Sequence, residues 1–277
     1  MQHLHFDQFD LTPNEKNIAD FISKNGLHIL TFTEDEIAKS LHVSNATVSR
    51  FWRKIGFKNF KDFKQNYKNE ITVSPAHKLE NIMDQMESST LQQQMMDLSK
   101  KHLELTLAQF DESQFQIMVS KMIHAKNIYI YSPGPSEGLG NLLHFRLSRL
   151  GFSIKLLPKS GHEIYEELIH FTSEDLIFVF GFVKMHPESQ VLLEYAKALQ
   201  IPAIVMTDCL VSDFNHYTDY LLFASRGEIW EFHSMIAPTF LIENIIIAIG
   251  KEQSQKSLLK LEQLDDIRKQ FKHILPR

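Results

Sequence analysis

Between Ser44 and Lys61 the chain places short hydrogen-bonding side chains and cations at spacings that suit contact with a nucleic-acid groove. Ser44, Asn45, Ala46, Thr47 and Ser49 crowd the start of an expected helix, where small side chains let the backbone approach base edges. Arg50, Arg53 and Lys54 continue along that helix, and Lys58 and Lys61 follow it. An arginine offers paired donors that match guanine, while the other cations can neutralise phosphates. From Lys39 to Lys68 the sequence holds eight Lys or Arg residues against one acid, Asp62. A charge run alone usually marks a solvated face. Here it coincides with caps, a turn and an apolar stripe, which is the combination a groove-reading helix needs.

A second set of residues suits a small anion. The run SPGPSEGLGN at 132–141 makes a tight turn from a strand into a helix, so Ser136, Glu137 and the N–H groups beside them would meet a ligand at a positive helix end. Such a turn by itself is more often plain connection. The run FGFVKMHPES at 180–189 brings Lys184 and His186 to another strand end, with Glu188 able to accept from hydroxyls; its bland alternative is a solvated loop. Glu228, Glu231, His233 and Ser234 precede a long apolar helix and could close the same cleft. Other chemistries fail on spacing. The glycines do not give G-x-G-x-x-G, the Walker lysine is missing, His162-Glu163 lacks the second histidine of a zinc-protease helix, and no G-x-S-x-G elbow occurs. His3 and His5 are expected to be surface histidines, and no metal or redox cofactor is expected.

The elements that must carry these residues are legible. Thr33 and Glu36 form a T-x-x-E capping box, and Ile37, Ala38 and Leu41 give the first helix of the pair its apolar stripe. His42-Val43 makes the turn, Ser44 caps the second helix, and Val48, Phe51, Trp52 and Ile55 recur on its buried face. An earlier helix starts at Pro13 and ends near Asn25-Gly26. A later one, 59–70, carries Phe60, Phe63 and Tyr67 inward, with Lys61, Lys64 and Lys68 outside the stripe. The polar segment 72–99 reads as a linker that becomes helical. From Asn127 onward, IYIY, FSIKLL, LIFVFGF, AIVMT and YLLF alternate with helical patterns, which predicts a mostly parallel sheet with helices on both faces. Ligands in such sheets bind at the carboxyl ends of the strands.

Composition sets the remaining bounds. The chain has 277 residues with 43% hydrophobic content, enough for two domains. Its net charge of −5 is uneven: residues 1–75 carry ten basic and nine acidic groups, so the acidic excess lies in the second part. Cys209 is the only cysteine, which excludes an intrachain disulfide and suits the cytosol. The N-terminus lacks a basic start and an apolar run, and Glu243 interrupts the apolar stretch 236–249, so neither secretion nor membrane spanning is expected.

The segment LTPNEKNIADFISKN is followed by VSNATVSRFWRKIGFKNFKDFK, which fits the pattern V-S-x-x-T-x-x-R-F-x-x-K-x-G-F-x-x-F, and AKNIYIYSPGPSEGLGNLLHFRLSRLG and EYAKALQIPAIVMTD resemble parts of a sugar isomerase (SIS) domain. In these segments the chain resembles the RpiR/MurR family of bacterial transcription regulators over nearly its whole length. The resemblance implies an all-helical helix-turn-helix domain followed by an α/β three-layer SIS sandwich. It also implies a homodimer or homotetramer acting on a double-stranded DNA operator in the cytoplasm, controlled by a phosphosugar-like effector. Ser136 matches the serine of the family's first loop, although Ser132 replaces its first glycine. In the second loop, Gly181, Val183, Lys184 and His186 replace the two serines, the glycine and the threonine, and only Glu188 is retained. The expected domains are 1–76, a linker and connecting helix at 77–106, and the SIS domain at 107–277. The effector set is Ser136, Glu137, Lys184, His186, Glu188 and Ser234. The competing reading is a sugar-phosphate isomerase with a fused binding module, in which Glu188, His186, His233 or Glu243 would exchange protons.

Overall fold

A computed structural model describes residues 6, 9–25, 29–70, 78–79, 82, 90–158, 161–210, 212–218, 220–227 and 231–275. The chain divides into two units, Met1–Lys78 and Leu79–Arg277. Among the described residues of the first, four α-helices follow one another: α1 Pro13–Asn25, α2 Glu34–Leu41, α3 Asn45–Lys54 and α4 Phe60–Glu70. The capping box of α2 forms as the sequence predicts, with the Thr33 N–H donating to Glu36 Oε2 at 2.7 Å and the Glu36 N–H donating to Thr33 Oγ1 at 3.2 Å. His42 ends α2 in the left-handed region at φ 53°, and the Val43 N–H donates to the Ala38 carbonyl at 3.0 Å, which closes the turn. Trp52, fully buried, stacks on Phe60 and Phe63 with ring centroids 4.7 and 4.5 Å away, so the inner face of α3 is locked against α4.

The second unit begins its described part with α5 Leu91–Ala108, capped by Thr90, and α6 Glu112–His124, capped by Asp111. α5 buries His102 and Thr106 and packs against a later helix of the same unit. Five strands follow: β1 Ile128–Tyr131, β2 Ile154–Leu156, β3 Leu176–Phe180, β4 Ala203–Thr207 and β5 Tyr220–Phe223. Every pairing is parallel and the order is β2-β1-β3-β4-β5. Between strands run α7 Glu137–Arg149, α8 Glu163–Leu168 and α9 Pro187–Ala198, and α10 Ile236–Glu252 and α11 Ser254–Gln270 follow the sheet.

All residues of β1, β3 and β4 are buried, because each strand feeds a core on both faces. Ile128, Ile130, Phe178, Phe180, Ile204 and Met206 pack with α6, α7 and α10 on one side. Tyr129, Tyr131, Ile177, Val179 and Val205 pack with α8 and α9 on the other. The strand order reverses direction between β1 and β3. Loops leaving those two strands therefore diverge to opposite faces and leave a crevice at the carboxyl edge.

Candidate nucleic-acid interface and ligand cavity

The α3 N-terminus is built by Ser44, whose Oγ accepts the Thr47 N–H at 3.2 Å and lies 2.9 Å from Thr47 Oγ1. Two hydroxyls are thus committed to the cap, which fixes where the helix starts. Asn45 and Ala46 are exposed beside it, and Asn45 Nδ2 donates to Asp35 Oδ1 at 3.3 Å. Thr47 and Ser49 are half-buried. Arg50 and Arg53 are exposed and make no ion pair among the described residues. Lys58 and Lys61 are exposed after the helix.

Two of the cations are engaged within the unit. Lys54 Nζ lies 2.7 Å from Glu15 Oε2, and the same oxygen accepts from the Thr12 N–H and hydroxyl at the start of α1. Burial raises the Glu15 pKa, but the Lys54 and Thr12 contacts outweigh it, and the net shift is downward. Lys64, expected outside the stripe, instead donates to the Phe32 carbonyl and lies 4.5 Å from the Phe60 ring centroid. Its long stem lets the ammonium fold back over the aromatic core. The Lys68 side chain lies outside the described residues.

In the second unit the loops after β1 and β3 meet around a cavity of about 190 Å³. After β1, a short 3₁₀ turn, Gly134–Ser136, leads into α7, and the buried Ser136 hydroxyl donates to the Pro133 carbonyl at 2.6 Å. Both Pro133 and Ser136 line the cavity. Gly140, one turn into α7, is required by this approach, since a Cβ there would sit 2.2 Å from Ser132 Oγ.

The loop after β3 is strained. Val183 has φ 67°, and the Lys184 N–H donates to the Phe182 carbonyl at 2.8 Å, forming a tight three-residue turn that a β-branched residue rarely adopts. Asp208, just after β4, holds the turn through Oδ1, which accepts the Val183 N–H at 2.7 Å. Its Oδ2 lies 3.1 Å from Arg226 Nη1. Both side chains are almost fully buried, at 7% and 5% exposure, so the pair crosslinks the ends of β3, β4 and β5 away from water. Arg226 also stacks 4.3 Å from the Phe182 ring centroid, and its Nε has no hydrogen-bond partner among the described residues. Burial lowers the Arg226 pKa, opposed by Asp208, but a guanidinium remains a cation. Beside it, Cys209 has its pKa pushed up to about 11 by burial and by Asp208, so its thiol stays protonated and unreactive.

Of the residues singled out in the sequence, Ser136, Lys184 and His186 line this cavity together with His233. Glu137, Glu188 and Ser234 do not. Glu137 is exposed at the start of α7. Glu188 lies in the first turn of α9, where its charge joins burial in pushing the Tyr131 hydroxyl up to about 12. Ser234 is buried and turned to the backbone: its Oγ accepts the Ile236 N–H at 3.3 Å, and its N–H donates to the Arg226 carbonyl at 3.0 Å. Glu228 falls outside the described residues. Glu243 sits on α10, 3.8 Å from Arg146 on the neighbouring α7, and does not line the cavity. The residue that sequence reasoning missed is Arg226. A signal existed, because Arg226 is the only Lys or Arg between Lys197 and Lys251 and follows a strand by three residues.

A capped, cation-bearing helix in a small helical unit is followed in this chain by a parallel sheet with a cavity at its switch point. Residues 1–74 match the helix-turn-helix domain of the rpiR family, and residues 121–254 match the SIS domain. The chain belongs to the RpiR family of transcription regulators. It is 29% identical over 216 residues to an uncharacterized HTH-type transcriptional regulator of Haemophilus influenzae, covering 76% of this chain and 75% of that one. A similar regulator of Clostridium perfringens is 24% identical, covering 94% of this chain and 95% of the relative. Among solved structures, the Vibrio vulnificus NanR protein complexed with ManNAc-6P superposes with a TM-score of 0.61 at 18% identity, over 94% of each chain. The sugar isomerase domain of an RpiR transcription factor from Sphaerobacter thermophilus gives 0.60 at 19% identity, over 64% of this chain and 99% of that domain. These two likenesses establish the fold. Among the described residues, no helix is long and apolar enough to cross a membrane.

Proposed function

We propose that the chain binds a double-stranded DNA operator through α3 and that a small phosphosugar-like anion in the SIS cavity controls this binding. It acts as a cytoplasmic homodimer or homotetramer and catalyses no reaction. The observation that carries the ligand reading is the convergence of Lys184 and Arg226 on a cavity whose lining, among the described residues, includes no carboxylate. Such a site favours a negative group, and the α7 N-terminus at its edge adds positive potential. The second-loop hydroxyls of the family pattern are gone, and Arg226 supplies in their place a rigid, buried donor held by Asp208 and Phe182. The ManNAc-6P carried by the NanR protein supports an amino-sugar phosphate as the first compound to try.

An isomerase would need an acid and a base at the reacting carbons. Glu188 and Glu243 both lie outside the cavity lining, which among the described residues leaves the imidazoles of His186 and His233 for that role. The test is a thermal-shift screen of phosphorylated sugars and amino sugars against their unphosphorylated counterparts. A ligand that prefers the native state raises the melting temperature. The expected result is a shift from a phosphorylated compound that its dephosphorylated form does not reproduce. No shift from any phosphosugar would reject this reading of the cavity.

A further inference from the structure

α5 is an eighteen-residue helix whose buried residues, His102 and Thr106, are both polar. Among the described residues, none of its apolar side chains belongs to, or packs against, either core of the second unit. Leu91, Met96, Leu105 and Leu107 are exposed. Both buried residues are bonded to one place, Ser225. His102 Nδ1 lies 2.9 Å from Ser225 Oγ, the Ser225 N–H donates to Thr106 Oγ1 at 2.9 Å, and the Thr106 hydroxyl donates to the His102 carbonyl at 2.8 Å. The Thr106 oxygen thus accepts from the strand end while its proton is spent inside the helix. A helix docked by a few hydrogen bonds, with little buried apolar surface, sits low on the scale of local stability.

Ser225 stands where β5 leaves the sheet. The Ala224 N–H still donates to the Thr207 carbonyl at 2.8 Å, but one residue further the backbone turns to Thr106. Arg226 comes next. It lines the anion cavity and is fixed by Asp208, by the Phe182 ring and by the Ser234 N–H at its carbonyl. Ser225 does not line that cavity, and neither does any residue of α5. Two adjacent buried residues, at 7% and 4% exposure, therefore serve two structures, one the connecting helix and the other the ligand cavity. Close packing leaves such a segment little slack, so restraining Arg226 restrains Ser225. In the chain α5 lies between α4 and β1, and the covalent connection from the helix-turn-helix unit to the sheet runs through it.

We propose that Ser225 and Thr106 form the joint through which an anion at Arg226 controls α5. The ligand restrains the 225–226 segment, and the two residues pass that restraint to the helix. The inference rests on the phosphosugar reading of the cavity and names how that site is coupled to the rest of the chain. No displacement is required, since a helix that loses freedom when the ligand binds alters the free energy of a second binding event. Thr106 and Ser225 are positioning residues, because neither lines the cavity.

Hydrogen–deuterium exchange of the full chain, with and without ManNAc-6P and each phosphosugar that raises the melting temperature, tests the joint. α6 is the internal control, since it shares any general stabilisation by the ligand but makes no hydrogen bond to Ser225 among the described residues. In the parent, the C-terminal half of α5 and the 223–226 segment should exchange at least about threefold more slowly with ligand, beyond any change in α6. In Thr106→Val, which keeps the side-chain shape and removes the hydroxyl, 223–226 should keep its protection and α5 should lose it. Thr106→Ser should restore it. Calorimetry should give all three proteins the same phosphosugar affinity. On a duplex from the DNA flanking the coding sequence, the ligand-induced change in Kd should fall from about 5–150-fold in the parent to within about twofold in Thr106→Val. Protection of 223–226 without α5 in the parent overturns the joint while the cavity reading stands, and this comparison needs no variant. Full coupling in a folded Thr106→Val overturns it as well. If neither segment is protected in the parent, no phosphosugar reaches Arg226, and the cavity reading falls together with the joint.

Discussion

The α3 face and the SIS cavity both carry arginines, but the two regions hold them in opposite ways. Arg50 and Arg53 stand exposed, without ion pairs among the described residues, on a helix whose inner face is locked by Trp52. Arg226 is buried against Phe182 and tied to Asp208. An exposed cation keeps its hydration until it meets a polyanion, and its contribution comes from released counterions, which makes it salt-dependent. A buried one has already lost its water. It survives only because a carboxylate compensates it, and it meets a small ligand without reorganising. The first arrangement suits a long, uniformly charged partner, and the second suits one anionic group in one place.

The largest expected effect breaks the buried side of this contrast. Arg226→Met leaves Asp208 buried without its cation, held by the Val183 N–H and the Cys209 thiol, and should destabilise the second unit by about 3–5 kcal/mol, measured by urea unfolding. Adding Asp208→Asn should recover part of that loss. A single-variant cost below about 1 kcal/mol, the range of exposed pairs, would remove the distinction.

Next in size, Arg50→Ala should weaken binding to a specific duplex by about 1–3 kcal/mol and relax sequence preference. Lys61→Ala should weaken all duplexes alike and lower the salt slope by about one. Binding of both variants to specific and random DNA at several salt concentrations separates base contact from phosphate contact. Unchanged binding by Arg50→Ala would reject the assignment of α3 as the reading helix.

Lys184 is exposed, so its ammonium contributes less than a buried partner would. Lys184→Ala should still weaken phosphosugar affinity about tenfold, equivalent to about 1.4 kcal/mol, while DNA affinity without ligand stays at the parent value. Calorimetry and DNA titration on the same protein read the two quantities.

The smallest effect is a change of slope with pH. Burial lowers the His102 pKa, Glu231 opposes this and Lys101 adds to it. The folded state therefore binds this proton less readily than the unfolded state. Stability from the neutral ring is complete above the unfolded value near 6.5 and is lost as pH falls below it. His102→Gln should flatten the fall in unfolding free energy between pH 7 and pH 5 relative to the parent. An identical slope in both proteins would show that the ring is not held neutral.

The helix pair α2 and α3 was legible because its signals are local. The capping box at Thr33, the Ser44 cap and the Val48, Phe51 and Trp52 stripe each depend on neighbours within four residues. The five strands were legible for the same reason, as apolar runs bounded by turns. The cavity was legible only in part. Ser136, Lys184 and His186 were found because the ends of β1 and β3 are where a sheet of this kind opens. Arg226 and Asp208 escaped because their pairing joins residues eighteen apart on different strand ends, and no periodicity announces it. Ser234 and Glu188 were chosen from their types, which do not reveal that both lie outside the cavity lining or that Ser234 is turned to the backbone. Lys54 and Lys64 show the same limit, because a lysine stem reaches far enough to choose a distant carboxylate or carbonyl over solvent.

The central claim is that a ligand in the second unit changes the DNA affinity of the first. The most direct measurement is a fluorescence-anisotropy titration of the full chain on duplexes from the DNA flanking its own coding sequence. It is run with and without the phosphosugar that gives the largest thermal shift. The account predicts tight binding to at least one duplex and a change in its Kd of about 5–150-fold on adding the sugar, the usual range of coupling between two sites. An affinity that stays the same at saturating sugar, on a duplex the protein binds specifically, would contradict it.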